Sequence, residues 1–461
     1  MYTFRLGADL LTVWDLLFSL FYLFLLFVYS YIVRLRKIER YPEYKYYIPG
    51  LFAKILGALL FLFLYTFYYP EGDTQYYFMS SESLLNLAFH DFLKFLSLMS
   101  GNLSNENFSA FTRDIGIPFY YYDKYSYSVV RFSVPFVFLA GKSYVASTIL
   151  VAAFTFSGIW KLFRLLVKIF PDSIKTSAFS VLFVPSTLFW GSGILKDSYT
   201  LMATCYFFVA FYEIFVFRKN ISKNIIIILF AFYIIVSIKP YIFFALIISS
   251  LLTIIHAQLK KIENKILKTI LFPLLIVIVL LGGSFIVLQT GKAAGGFYTS
   301  IESMLKMAVE KQQDLIQDYY GKNSFDIGKF DPTIGGVLSK AHLAIIAGLF
   351  RPFYWEARNF RMLISATENF IFLFLSLYIA LLTFFTIRKH GFAYVQKIIL
   401  SDSFIVFSLL FSLIFALMIG ITTANFGALV RYRIPLIPFY MSTLFIIIKN
   451  FNIEKETKRL I

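Results

Sequence analysis

The chain has 461 residues, of which 59% are hydrophobic and only 15% charged. That is far below the roughly 25% charged residues of a soluble domain, which excludes a water-soluble globule. A formal net charge of +17 would suggest nucleic acid in a soluble protein, but in so apolar a chain the basic residues collect in short cytoplasmic loops, and nucleic acid is excluded as a partner.

Apolar runs near the roughly 20 residues that cross hydrocarbon recur along the chain. They predict an all-α polytopic transmembrane bundle of about eleven spans, with residues 1–461 forming a single integral membrane domain. Run one, Leu10 to Val33, has Arg5 ahead of it and no small-residue cleavage site behind it, so it reads as a retained helix rather than a signal peptide. Arg34, Arg36, Lys37 and Arg40 follow, then Lys45 and Lys54. This is the strongest basic cluster, and its assignment to the cytoplasm puts the amino terminus outside.

Run two, Leu51 to Tyr69, ends at Pro70. The first long outer loop, 70–128, opens with Glu71-Gly72-Asp73-Thr74. Within it, Leu85, Phe89, Phe92 and Leu96 recur at helical spacing over Ser81 to Leu98, which predicts an amphipathic helix lying in the interface. Arg131 precedes run three. Runs three to eight are Val134 to Trp160, Ala178 to Trp190, Tyr199 to Phe217, Ile225 to Ile238, Tyr241 to Ile255 and Ile270 to Leu288. Basic clusters at Lys161/Arg164/Lys168/Lys175, Arg218/Lys219/Lys223 and Lys260/Lys261/Lys265/Lys268 fall where the alternation demands the inside. Cys205, the one cysteine, sits in run five as a packing residue and allows no intrachain disulfide.

The second long outer loop, 290–361, carries a capping-box pattern at Thr299-Ser300-Ile301-Glu302, which predicts another amphipathic helix. Gly335 to Leu349 is apolar but short for a span, so it is expected to be interfacial or re-entrant. Runs nine to eleven are Met362 to Thr386, Ser403 to Thr422 and Pro435 to Ile448, and the basic tail Lys449 to Arg459 leaves the carboxyl terminus inside.

With this orientation, charges from distant parts of the chain face the outer side. They are Asp73, Lys196 and Asp197 after the Gly191-Ser192-Gly193 corner, Lys239-Pro240, Arg351, Glu356 and Arg358, Glu368 inside run nine, and Arg431 and Arg433 before run eleven. Charges at span ends are expensive unless paired, solvated or used, so one polar outer cavity is expected. Lys196 and Asp197 also read as a structural pair. Guanidinium forks match phosphate oxygens. Lys196, Arg351, Arg431 and Arg433 are therefore expected to bind a lipid-linked phosphate donor. Asp197, Glu356, Arg358 and Glu368 would orient these cations or the acceptor, and Asp73 would be the catalytic base. A divalent cation, Mg or Mn, could be held by Asp73, although no spacing requires one. No HExxH, GxSxG or Walker pattern is present.

The acidic Gly72-Asp73 in the first outer loop, the stretch Pro185 to Asp197 and the terminal Arg431-Tyr432-Arg433-Ile434-Pro435 together resemble membrane glycosyltransferases of the GT-C superfamily that use polyprenyl-phosphate sugars. The resemblance implies transfer of a sugar to a glycan, lipid or protein acceptor at the outer face of the cytoplasmic (inner) membrane, in the service of cell-envelope polysaccharide, with Asp73 as base or metal ligand. The chain is also similar to O-antigen-type polysaccharide polymerases and O-antigen ligases, which use lipid-pyrophosphate glycans. A non-enzymatic glycolipid transporter is the third reading, and it would require broken helices near the membrane midplane.

Overall fold

The computed structural model describes residues 7–69, 71–262, 300–317 and 323–457, with single positions at 264, 282, 288 and 289. Among these residues all regular structure is helical, save one antiparallel bridge between Ser324 and Asn425. Nine described helices are long and apolar enough to cross a membrane: Val13–Lys37, Pro42–Tyr68, Tyr144–Ile169, Lys196–Phe215, Ile221–Ile238, Pro240–Leu259, Met362–His390, Ser403–Thr422 and Phe426–Asn452. Run eight, apart from positions 282 and 288, lies outside the described residues, as do Gly295-Gly296, Pro70 and the basic tail beyond residue 457.

Side-chain distribution fits a hydrocarbon solvent. Helix Val13–Lys37 buries Asp15, Ser19 and Ser30 while Leu16, Leu20 and Phe24 stay exposed. Polar groups need partners in hydrocarbon and apolar ones do not, so the polar face turns inward. Asp15 shows the partnering: it accepts from Thr12, from the Ser143 hydroxyl at 2.6 Å and from the Val145 amide at 3.1 Å. The protein is an integral membrane protein of all-α polytopic architecture.

The chain divides into two compact units, Met1–Tyr206 with Phe230–Lys239, and Phe207–Leu229 with Pro240–Ile461. In the first, helix Asp73–His90 packs along Lys124–Leu139, and Tyr47–Phe63 packs along Tyr144–Ile169 and the short Pro185–Trp190. In the second, the short helix Ala341–Phe350 lies against Ser403–Thr422. Small residues permit that approach: a Cβ on Gly348 would strike the Ala416 carbonyl, and one on Gly420 the Ala344 carbonyl.

Several boundaries differ from expectation, each for a local reason. Run three is two helices, Lys124–Leu139 and Tyr144–Ile169, because Gly141 and Lys142 take φ of 57° and 62° and Ser143 caps the next helix. Run four is also two short helices, Ile174–Leu182 and Pro185–Trp190, with Val184 extended before Pro185. The amphipathic segment Ser81 to Leu98 breaks at Asp91, whose carboxylate accepts from the Lys94 amide at 3.0 Å and starts a new helix. Leu85 is buried against the protein, whereas Phe89, Phe92 and Leu96 remain exposed. The capping box before Ile301–Leu315 is made by Ser300 and Ser303, one residue beyond the expected pair.

Candidate functional site

The first unit gathers Asp73 and Lys196 through one short stretch of chain. Asp73 is the first residue of its helix, after the N-cap Gly72, where a negative charge is favoured by the helix dipole. Its Oδ1 accepts from the Tyr120 hydroxyl at 2.8 Å. Burial, followed by the Asp73 charge, raises the Tyr120 pKa far above the ordinary tyrosine range, so the phenol stays a donor. Glu71 accepts from the Tyr76 hydroxyl at 3.1 Å. The Tyr76 ring lies 4.4 Å from Phe119, and Tyr77 lies 4.8 Å from Tyr120, so the two carboxylates sit among aromatic faces.

Three residues beyond Tyr120, Asp123 pairs with Lys196 at 3.5 Å. Asp123 is also the N-cap of Lys124–Leu139, accepting from the Tyr125 and Ser126 amides at 3.0 and 3.2 Å and from the Ser126 hydroxyl. Burial opposes its charged form, but the Lys196 ammonium and these hydrogen bonds outweigh burial and lower its pKa. Tyr120 and Asp123 can be no more than roughly 10 Å apart along the backbone. A carboxylate and an ammonium from residues 73 and 196 are thus tied to one stretch.

Lys196 and Asp197 do not pair with each other, contrary to one expectation, because adjacent residues on a helix face different ways. Asp197 turns inward to Lys239 at 2.5 Å, and both are almost fully buried. Lys54, expected among the cytoplasmic cations, is 1% exposed. Its ammonium donates to the Gly191 carbonyl and, at 3.4 Å, to the Ser192 hydroxyl. Phe61 contacts the rings of Phe189 and Trp190 at 5.2 and 5.4 Å, and a Cβ on Gly57 would strike the Leu188 carbonyl. The irregular stretch Gly191 to Leu195 therefore lies along the middle of span Pro42–Tyr68, with Lys54 about 10 Å beyond the start of helix Tyr47–Phe63. Arg131 is likewise structural: its guanidinium donates to the Met99 carbonyl at 3.1 Å and to Ser128 at 2.9 Å, closing the end of helix Phe92–Ser100.

The second unit holds the expected arginines. Arg351 donates through Nε to Glu356 at 2.9 Å and pairs with it again through Nη2. The other Glu356 oxygen accepts from the Phe353 amide at 2.9 Å. The Arg351 guanidinium lies 4.7 Å from the Phe325 ring centre and 5.8 Å from that of Phe426, and these rings are set by the Ser324–Asn425 bridge. Arg431 lies in the last turn of helix Phe426–Tyr432, and Arg433 is its C-cap at φ −77°, ψ −7°, before a further helical turn. Arg431 is half-buried and Arg433 is 1% exposed. Glu368 interacts electrostatically with Arg433, and Arg358 is exposed.

Tyr120, Asp123 and Lys54 escaped the sequence reading as site residues. Only Lys54 carried a usable signal, a charge standing inside an apolar run. Among the described residues no group of three or more His, Cys, Asp or Glu side chains is placed to hold a metal. Comparison with protein-family models, with curated proteins and with solved structures gives no match to this chain.

Proposed function

We propose that the protein is a membrane glycosyltransferase that moves a sugar from a polyprenyl-phosphate donor to a glycan, lipid or protein acceptor at the outer face of the cytoplasmic membrane, with its amino terminus outside and its carboxyl terminus inside. The observation that carries this reading is the tethering of Asp73 and Lys196 to one four-residue stretch by Tyr120 and Asp123. It supplies a base and a cation with the roles that glycosyl transfer from a phosphate needs. The acceptor oxygen bonds to the anomeric carbon and its proton passes to Asp73. The bond between that carbon and the phosphate oxygen breaks, and the lipid phosphate departs with its negative charge facing Lys196. Arg351 and Arg431, both within the second unit, are guanidinium groups of the kind that pairs with phosphate oxygens.

A second reading draws on a different observation. The irregular Gly191 to Leu195, beside a buried lysine at mid-span, is the kind of helix break found in transporters, and it favours export of an anionic glycolipid. The deciding experiment supplies purified protein in vesicles with a polyprenyl-monophosphate sugar and, separately, a polyprenyl-pyrophosphate oligosaccharide. The proposal expects sugar transfer from the monophosphate donor. Turnover of the pyrophosphate donor alone would replace it with a polymerase or ligase, and translocation without bond cleavage would replace it with a transporter.

A further inference from the structure

Arg433 is a fully buried guanidinium whose hydrogen bonds go to backbone. Its Nη1 donates to the Arg351 carbonyl at 3.1 Å and the Leu349 carbonyl at 3.4 Å, while Nε and Nη2 meet no hydrogen-bond partner among the described residues. Asn369, 1% exposed, donates to the next carbonyl, that of Pro352, at 3.0 Å. Three successive or near-successive carbonyls are thus gripped from two other helices. Burying a guanidinium is costly, and here the charge is directed at the main chain of the very residue, Arg351, whose own guanidinium is braced by Glu356 and two aromatic faces. The bonds of Arg351 to Glu356 are made by Nε and Nη2, and the side chain keeps 22% of its surface exposed.

We propose that Arg433 is a positioning residue: by holding the carbonyls of Leu349 and Arg351 it fixes the turn 351–356 so that Arg351 presents its remaining edge to an anionic phosphate headgroup. The inference rests on the phosphate-binding reading above, but it assigns contact to Arg351 and support to Arg433, which sequence reasoning had placed together on the phosphate. Trp355, stacked on Phe353 at 4.7 Å and 80% exposed, reports on the same turn.

The test is a double-mutant cycle on the full chain in lipid nanodiscs, titrated with a long-chain polyprenyl monophosphate. Binding is read from Trp355 emission, isolated by difference against W355F. R351Q and R433Q are each expected to weaken binding about tenfold, and the double variant no further than R351Q alone, because Arg433 acts only through Arg351. R433K, which keeps the charge without the fork, is expected to weaken binding about threefold. Losses that multiply in the double variant would make Arg433 a phosphate contact and overturn the proposal, as would unaltered binding in R433Q. Should R433Q not fold, R433K replaces it in the cycle with the same two outcomes. A wild-type protein that binds no polyprenyl phosphate would remove the phosphate reading, and the turn is then examined without ligand. Acrylamide quenching of Trp355 is expected to change in R433K and R433Q relative to wild type, and identical quenching would remove the positioning role on its own.

Discussion

The Tyr120 hydroxyl donates to Oδ1 of Asp73 at 2.8 Å, and the two residues are 47 positions apart in the chain. The bond fixes the carboxylate's orientation. Tyr120→Phe is expected to lower stability by about 1.5 to 3 kcal/mol, the range for a hydrogen bond to a charged group. Under the proposed mechanism it should also reduce kcat by about tenfold with little change in donor KM, because it disturbs the base rather than binding. Thermal unfolding and steady-state kinetics on the same preparation check both expectations.

The Asp123–Lys196 pair predicts a pH dependence. The folded pKa of Asp123 lies below its ordinary 3.8, so its contribution to stability is fully present above that value and is lost as pH falls through the depressed folded pKa. Asp123→Asn should therefore flatten the acid limb of the stability curve below about pH 4 and change little at pH 7. The side chain is nearly half exposed, so the ion pair itself is worth no more than about 1 kcal/mol after solvent screening. An unfolding series from pH 3 to pH 7, compared between wild type and variant, measures the difference.

Asp197 and Lys239 are buried together at 2.5 Å, so removing one leaves an uncompensated charge. Lys239→Ala and Asp197→Ala are each expected to destabilise by about 3 to 5 kcal/mol, whereas Lys239→Met combined with Asp197→Leu should cost markedly less than the sum. Chemical or thermal unfolding in detergent reads the three variants side by side. A double-variant loss equal to the sum of the two single losses would show that the pair is not the reason the two residues are tolerated there.

Gly57 predicts a steric effect. A Cβ there would strike the Leu188 carbonyl, so Gly57→Val should push the Pro185–Trp190 helix away and cost about 1 to 3 kcal/mol. Gly335→Ala, which meets only Thr333 Oγ1 at 4.0 Å, should stay within about 0.5 kcal/mol. The comparison is made by differential scanning fluorimetry.

The long apolar runs were legible because hydrocarbon demands length and composition that no soluble element mimics. Runs one, five to seven, nine and ten correspond to helices within four residues, whereas runs two and eleven overlap helical spans that begin nine residues earlier. Run three hid a turn, since hydrophobicity continues unbroken across Gly141-Lys142 while the backbone reverses into positive φ. Run four hid a break at Pro185 for the same reason. Asp73 and Lys196 were named from sequence as charges near span ends. The residues that tie them, Tyr120 and Asp123, were not, because Tyr120 reads as one ring of an aromatic belt and a contact across 47 residues leaves no periodic trace. Lys196 and Asp197 were read as a pair from adjacency alone, and helix geometry sends them to Asp123 and Lys239. Lys54 was assigned to a basic loop although it stands inside the second run, where the reasoning applied to Glu368 would have marked it for a buried partner.

The assignment of Asp73 as base in sugar transfer is the centre of this account, and Asp73→Asn tests it most directly. The variant keeps the size of the side chain and an oxygen able to accept from Tyr120, so folding and polyprenyl-phosphate-sugar binding should persist. Single-turnover sugar transfer should fall by about 10² to 10⁴. Transfer at the wild-type rate by a folded, donor-saturated Asp73→Asn protein would contradict it.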